Sequence, residues 1–130
     1  TLAGRFISQT FGATVQHIAF RSHDIFASAE ALVARGFTPL DISANYYDDL
    51  GARFGLAPDM LERLATYSIM YDEDAEGRFF QMYGQQTAGE IFFEIVQRDG
   101  GYDGYGAANA PFRITAQKRV TPTRRRPAAS

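Results

Sequence analysis

The sequence predicts an α+β domain built as one curved mixed sheet of βαβββ order, with a helix on one face. Three observations predict it. The 130 residues are one domain's length, and 45% are hydrophobic, enough for a packed core. Stretches of period-two alternation recur along the chain, interrupted once by a short helical pattern and once by a longer helical insert. No segment repeats, so the order strand, helix, strand, helical insert, strand, strand, strand is a single unit with an insertion. A curved sheet covered on one side leaves its other side open, and such a unit calls for a second one to close it.

Each element has its own justification. Residues 1–12 show no clear period and read as a lead-in from an upstream segment. Residues 15–20 form a strand, with Val15, His17 and Ala19 on one face and Gln16, Ile18 and Phe20 on the other. Asp24 is a helix N-cap, followed by Ile25, Phe26, Ala29, Leu32 and Val33 at helical spacing and by Gly36 as the cap at the far end. Residues 37–40 look like a short strand. Residues 41–57 are ambiguous: Asn45 to Leu50 opens a short helix that Gly51 and Gly55 weaken. Pro58 suits a first helical turn, and Leu61, Leu64 and Ala65 give that helix its apolar stripe. Residues 68–71 read as a strand and the acidic stretch 72–77 as a turn. Residues 79–83 and 91–97 are two further strands, rich in aromatic and β-branched side chains, joined by a polar linker. The module spans residues 13–117.

Composition excludes several function classes. Charged residues are 22% and the net charge is −2, which is not a nucleic-acid binder's balance. All 15 acidic residues precede Gly104, whereas residues 118–130 carry Lys118, Arg119, Arg124, Arg125 and Arg126. This Pro-, Ala- and Arg-rich end is expected to be a disordered basic tail. The longest apolar runs, such as Ile91-Phe92-Phe93, are too short to cross a bilayer. With no cysteine there is no disulfide, thiolate zinc site or thiol nucleophile. No signal peptide is evident, and a cytoplasmic location is the expectation. A chain that begins at Thr1 is expected to be processed or to be a piece of a longer one.

Alternation singles out three polar side chains. His17 points with Val15 and Ala19, Glu94 with Phe92 and Val96, and Gln81 with Phe79 and Tyr83. A His and a Glu inside strands apolar on both faces cost free energy unless paired, hydrogen-bonded or metal-bound. Imidazole and carboxylate are two of the three ligands of a 2-His-1-carboxylate facial triad. A satisfied core or rim histidine has the same signature, so the residues alone leave both readings open. His23, beside Asp24, suits a turn or cap. The acidic stretch lacks the twelve-residue calcium pattern. Gly100-Gly101-Tyr102-Asp103-Gly104-Tyr105-Gly106 has the wrong spacing for a dinucleotide fingerprint and fits a loop over a pocket mouth.

Val15-Gln16-His17-Ile18-Ala19-Phe20 with Asp24-Ile25 resembles a metal-ligand strand and helix of the 4-hydroxyphenylpyruvate dioxygenases. Tyr71-Asp72-Glu73-Asp74 through Gly77-Arg78-Phe79-Phe80-Gln81-Met82-Tyr83 resembles their next hairpin, and Phe92-Phe93-Glu94-Ile95-Val96-Gln97-Arg98 their carboxylate-ligand strand. That family belongs to the vicinal-oxygen-chelate superfamily of paired βαβββ modules. The resemblance implies His17 and Glu94 as metal ligands and Gln81 as a substrate-binding residue. It also implies an upstream module of the same polypeptide that supplies a second histidine. The stretch from Gly101 to Arg113 departs from the family's glycine-phenylalanine-glycine segment, asparagine-phenylalanine pair and gating helix, and leaves no room for that gate. In this it resembles bacterial fusions in which a barrel active as 3-dehydroshikimate dehydratase precedes a dioxygenase-like domain.

Three expectations follow from the resemblance. The chain is the metal-binding C-terminal segment of such a fusion, whose barrel makes protocatechuate. Alternatively it is a working half-site of an iron(II) dioxygenase that decarboxylates an aromatic keto acid and hydroxylates its ring. Alternatively it is a non-catalytic binding module whose homodimer pools two His17 and two Glu94. The implied cofactor is a divalent metal, Fe2+ for a dioxygenase and Mg2+ or another ion in the fusion. The implied partner is a small-molecule substrate, with neither nucleic acid nor membrane.

Overall fold

The structure, a computed structural model, describes residues 16–85 and 91–120. The lead-in 1–12, Val15, part of the polar linker and residues 121–130 lie outside the described residues. The elements are β1 (Gln16–Arg21), α1 (Ile25–Ala34), α2 (Ala44–Phe54), α3 (Pro58–Thr66), β2 (Met70–Glu73), β3 (Gly77–Tyr83), β4 (Ile91–Gly100), a 3-10 turn (Ala107–Asn109) and α4 (Ala110–Val120). The sheet runs β1-β4-β3-β2, with β1 parallel to β4 and the other pairs antiparallel. No helix among the described residues is long and apolar enough to cross a membrane.

Local chemistry sets the helix ends. The Asp24 side chain accepts from the Ala27 N–H at 3.1 Å, as an N-cap does, and Gln97 of β4 accepts from the Ile25 N–H at 2.7 Å. At the other end Phe37 N–H donates to Leu32 O and Gly36 N–H to Val33 O, a Schellman closure with Gly36 at φ +96°. Ile25 and Ala29 of α1 pack with Phe80, Met82 and Ile95 in one buried cluster, so α1 covers the sheet face opposite His17.

Four expectations are corrected. Residues 37–40 are not a strand. Phe37 closes α1, and Pro39, which has no N–H, makes only an isolated bridge to Gly84. Residues 68 and 69 are likewise helix closure: Ser68 sits at φ +55° and Ile69 N–H donates to Leu64 O, so β2 begins at Met70. The ambiguous stretch holds a full helix, α2, with Gly55 as its left-handed cap. The segment after β4 is not too short for a helix. Residues 110–120 form α4, so Lys118 and Arg119, read as the start of the tail, are its last turn, and Arg119 donates to Asp41 O at 2.8 Å.

That C-terminal segment also partly closes the face expected to be open. The Tyr102 ring stacks on Phe79 at 5.0 Å and 8°. Its hydroxyl donates to Asp72 at 2.6 Å and accepts from the Gly106 N–H at 3.0 Å. Phe112 meets Tyr46 edge-on at 5.0 Å. Gly106, at φ +67°, lies so close to Gln81 and Phe79 that a Cβ would collide with both.

Candidate functional site

The parallel pairing of β1 and β4 brings the two ends of the sequence pattern together. His17 is level with Phe92, and Ala19 with Glu94, so His17 and Glu94 are diagonal neighbours. On the other side of β4, Tyr83 is level with Glu94 and Gln81 with Val96. The three sequence-predicted residues therefore share one face. His17 and Glu94 line a cavity of about 330 Å³ with Phe79, Tyr83, Arg98, Tyr105 and Arg113 among its walls. Gln81 is 3% exposed and reaches the site through Glu94 rather than through the cavity wall.

Glu94 is held by the outer end of a relay of hydrogen bonds that is buried from Gln81 inward. Gln81 Nε2 donates to Glu94 Oε2 at 2.9 Å. Asn109 Nδ2 donates to Gln81 Oε1 at 2.8 Å, which turns Asn109 Oδ1 toward the Tyr46 hydroxyl, also at 2.8 Å. That hydroxyl in turn accepts from the Tyr71 N–H at 2.7 Å. A phenol has one proton; with Asn109 Oδ1 nearer than Tyr71 O, at 3.0 Å, we assign it to Asn109. Burial keeps the Tyr46 phenol neutral far above its ordinary range. The Gln81–Glu94 contact thus fixes one carboxylate oxygen.

The electrostatics are mixed. Burial, and next the Arg113 guanidinium, lower the His17 pKa, which favours the neutral imidazole that can donate a lone pair. The His17 ring lies edge-on to Tyr83 at 5.2 Å and to Phe92 at 6.0 Å. Burial, reinforced by the Glu94 carboxylate, raises the Tyr83 phenol. Arg98 is sandwiched between Phe79, at 4.8 Å, and Tyr105, at 5.3 Å, and donates to Gly104 O at 3.0 Å. The glycine- and tyrosine-rich segment thus does border the pocket. β1, expected to be buried on both faces, is an exposed edge of the sheet among the described residues. His23 is exposed in the turn before α1, away from the cavity lining.

No protein-family model matches the chain. It is 43% identical over 121 residues to the 3-dehydroshikimate dehydratase of Pseudomonas aeruginosa, covering 92% of this chain and 19% of that protein. A solved xylose isomerase-like TIM barrel/4-hydroxyphenylpyruvate dioxygenase fusion protein superposes with a TM-score of 0.77 and 43% identity, over 82% of this chain and 17% of its own. The chain is a 4-hydroxyphenylpyruvate dioxygenase-like module of the vicinal-oxygen-chelate fold. The dioxygenase-like module is also 36% identical over 104 residues to the 4-hydroxyphenylpyruvate dioxygenase of Caenorhabditis elegans, covering 75% of this chain and 26% of that enzyme. It spans about a fifth of the length of the dehydratases it matches.

Sequence reasoning missed two groups that shape the module's site. Asn109 is 1% exposed and fixes Gln81, yet in sequence it is a lone amide in a small-residue loop. Arg113 lines the cavity from α4, an element the sequence reading did not anticipate. The one available signal was the run of helix-compatible residues after Pro111.

Proposed function

We propose that this module contributes half of a divalent-metal chelate centre to a fusion protein whose upstream barrel dehydrates 3-dehydroshikimate to protocatechuate. The observation that carries it is His17 and Glu94 on adjacent strands, facing one cavity. The donor set fits a metal as far as it goes. His17 offers an imidazole whose charged form is disfavoured, and Glu94 offers the carboxylate oxygen that Gln81 does not occupy. It is two donors and not three: among the described residues no group of three or more His, Cys, Asp or Glu could hold an ion. The third ligand in this reading is a histidine from an upstream module of the same polypeptide. A bound divalent ion would supply Lewis acidity and open coordination positions, as Fe2+ in a dioxygenase or Mg2+ or another ion in the fusion.

The module's own residues then have separable tasks. His17 and Glu94 hold the ion. Gln81, fixed by Asn109, orients Glu94 and stands behind the substrate position. The buried Tyr83 and Phe79 rings form part of the cavity wall, and Tyr105 borders it from the loop while largely exposed.

Metal content of the intact protein, with His17→Ala and Glu94→Gln beside wild type, tests this reading. About one ion per site in wild type, lost in both variants with the circular dichroism unchanged, is the expected result. Equal uptake by all three proteins sinks the ligand assignment.

A second reading, a working iron(II) 4-hydroxyphenylpyruvate dioxygenase half-site, is favoured by α4, which occupies the place where the sequence suggested no gating helix. Turnover of aromatic α-keto acids by the iron-loaded protein decides for it; none decides for the fusion reading.

A further inference from the structure

The start of α1 and the last turn of α3 line another groove, of about 420 Å³, which the chelate centre does not use. Its chemistry is that of a guanidinium receptor. Arg63 lies over the Phe26 ring at 4.0 Å, so one guanidinium already stacks there. That arginine pairs with neither acid of the groove. Among the described residues Glu30 forms no ion pair, and Asp24 uses only Oδ1, on the Ala27 N–H at 3.1 Å. Tyr67 is partly buried, yet among the described residues its ring meets no other ring and its hydroxyl no partner. Two unpaired carboxylates beside an unstacked aromatic face suit an arginine, whose planar fork takes oxygens at its edge and a ring on its face.

The course of the chain names the occupant. Arg119, in the last turn of α4, donates to Asp41 O at 2.8 Å. Asp41 precedes Ile42, whose N–H donates to Ser68 Oγ at 3.5 Å, and Ser68 follows Tyr67 of the groove. Residues 121–130, outside the described residues, therefore continue from a helix end tied close to the α3 wall of the groove. They carry Arg124, Arg125 and Arg126 and no acid. Arg124 can lie up to about 14 Å beyond Val120, and residue 130 up to about 35 Å beyond it. A tethered segment meets its site at an effective concentration in the millimolar range, so contacts too weak to hold a free peptide suffice. We propose that the basic end of this chain docks in the groove between α1 and α3, with one of Arg124, Arg125 and Arg126 against Tyr67 and between the Glu30 and Asp24 carboxylates. The residue before α4, Asn109, is anchored through Gln81 and the helix's last turn through Asp41; docking carries that second anchor across to α1. The contact needs neither a metal nor a substrate.

Trypsin reads the docking directly, because it cuts after Arg124 and Arg125. The intact protein, treated with nuclease and purified, is digested beside a free peptide of residues 118–130, and both cuts are timed by mass spectrometry. The expected result is cleavage at least threefold slower in the protein than in the peptide at low salt. The protection disappears at about 1 M salt, where charges act over only about 3 Å. It also disappears in the double variant Asp24→Asn/Glu30→Ala. Both of its positions are exposed, and Asn keeps the helix cap, so the melting temperature should hold. Glu62→Ala removes an exposed acid of α3 outside the groove lining and should leave the protection intact. Cleavage at the peptide's rate in wild type overturns the proposal, as does protection that the double variant keeps or that Glu62→Ala loses equally. Protection that grows with protein concentration makes a second copy the occupant, and protection that needs added RNA makes nucleic acid the partner; either overturns it. Should the double variant melt early, Arg125→Lys supplies the second measurement. Zero-length carbodiimide coupling of that variant is expected to join residue 125 to Glu30 or Asp24 within one chain. Coupling only to other acids, or only between chains, overturns the assignment.

Discussion

Asn109 shows how much one side chain can hold. It is buried, donates to Gln81 and accepts from Tyr46, so its removal strands the buried Gln81 amide oxygen and leaves the Tyr46 hydroxyl only Tyr71 O, at 3.0 Å, to donate to. Asn109→Ala should cost about 1–3 kcal/mol in urea unfolding, more than a surface amide would. Tyr102 gives a pH test. Burial first, then its bond to Asp72, raises its phenol from the ordinary 10 to about 12. The neutral phenol is thus the form the fold prefers. Its contribution to stability is complete below pH 10 and is lost as pH rises through about 12. Thermal melts of wild type should fall across that window, and Tyr102→Phe should fall less steeply. A parallel decline in both would remove Tyr102 from the account. At this scale the sequence was informative where alternation applies: His17, Gln81 and Glu94 share a face because a strand has a period of two. It was silent on Asn109 and Arg113, whose roles depend on a loop and helix docking back onto the sheet.

Among the elements, α1 was readable from its punctuation and α3's end was not. Asp24 and Gly36 are the residues an N-cap and a Schellman closure call for, and both serve. Asp24→Ala should therefore lower stability by about 1 kcal/mol in chemical denaturation, with Asp24→Asn nearly neutral. An unchanged midpoint in the alanine variant would mean that Gln97, which accepts from the Ile25 N–H, caps the helix alone. The closure of α3 uses Ser68 in the left-handed region, where Gly is the usual signal, so Ser68 and Ile69 passed for strand residues. Residues 72–77 were readable as a turn for a physical reason. Asp74 accepts from both the Glu76 and Gly77 N–H groups, so one acid in that cluster is satisfied by the backbone. β2 nonetheless extends into the stretch as far as Glu73.

Across the whole molecule, α1 covers one face of the sheet, and among the described residues no further strand pairs with the β1 edge. Ile18 is 36% and Phe20 51% exposed, and Phe20 lies 6.2 Å from Phe93, so apolar surface collects along the β1 edge. Such a strip is a liability on a free module and an asset against a second one. The isolated chain should self-associate in sedimentation, and Phe20→Lys should shift it toward monomer with little change in melting temperature, since the ring is half exposed. Self-association that persists unchanged in Phe20→Lys would place the contact elsewhere. The parallel pairing of the first and last strands has one more consequence, for a chain being made on a ribosome. β1 emerges before β2 and β3, yet among the described residues its only strand partner is β4, the last of the four described strands to be synthesised. His17 and Glu94 are therefore strangers through most of translation. In the proposed chelate reading, the two donors meet only once residue 94 and its neighbours have left the exit tunnel, so their pairing is timed by synthesis itself.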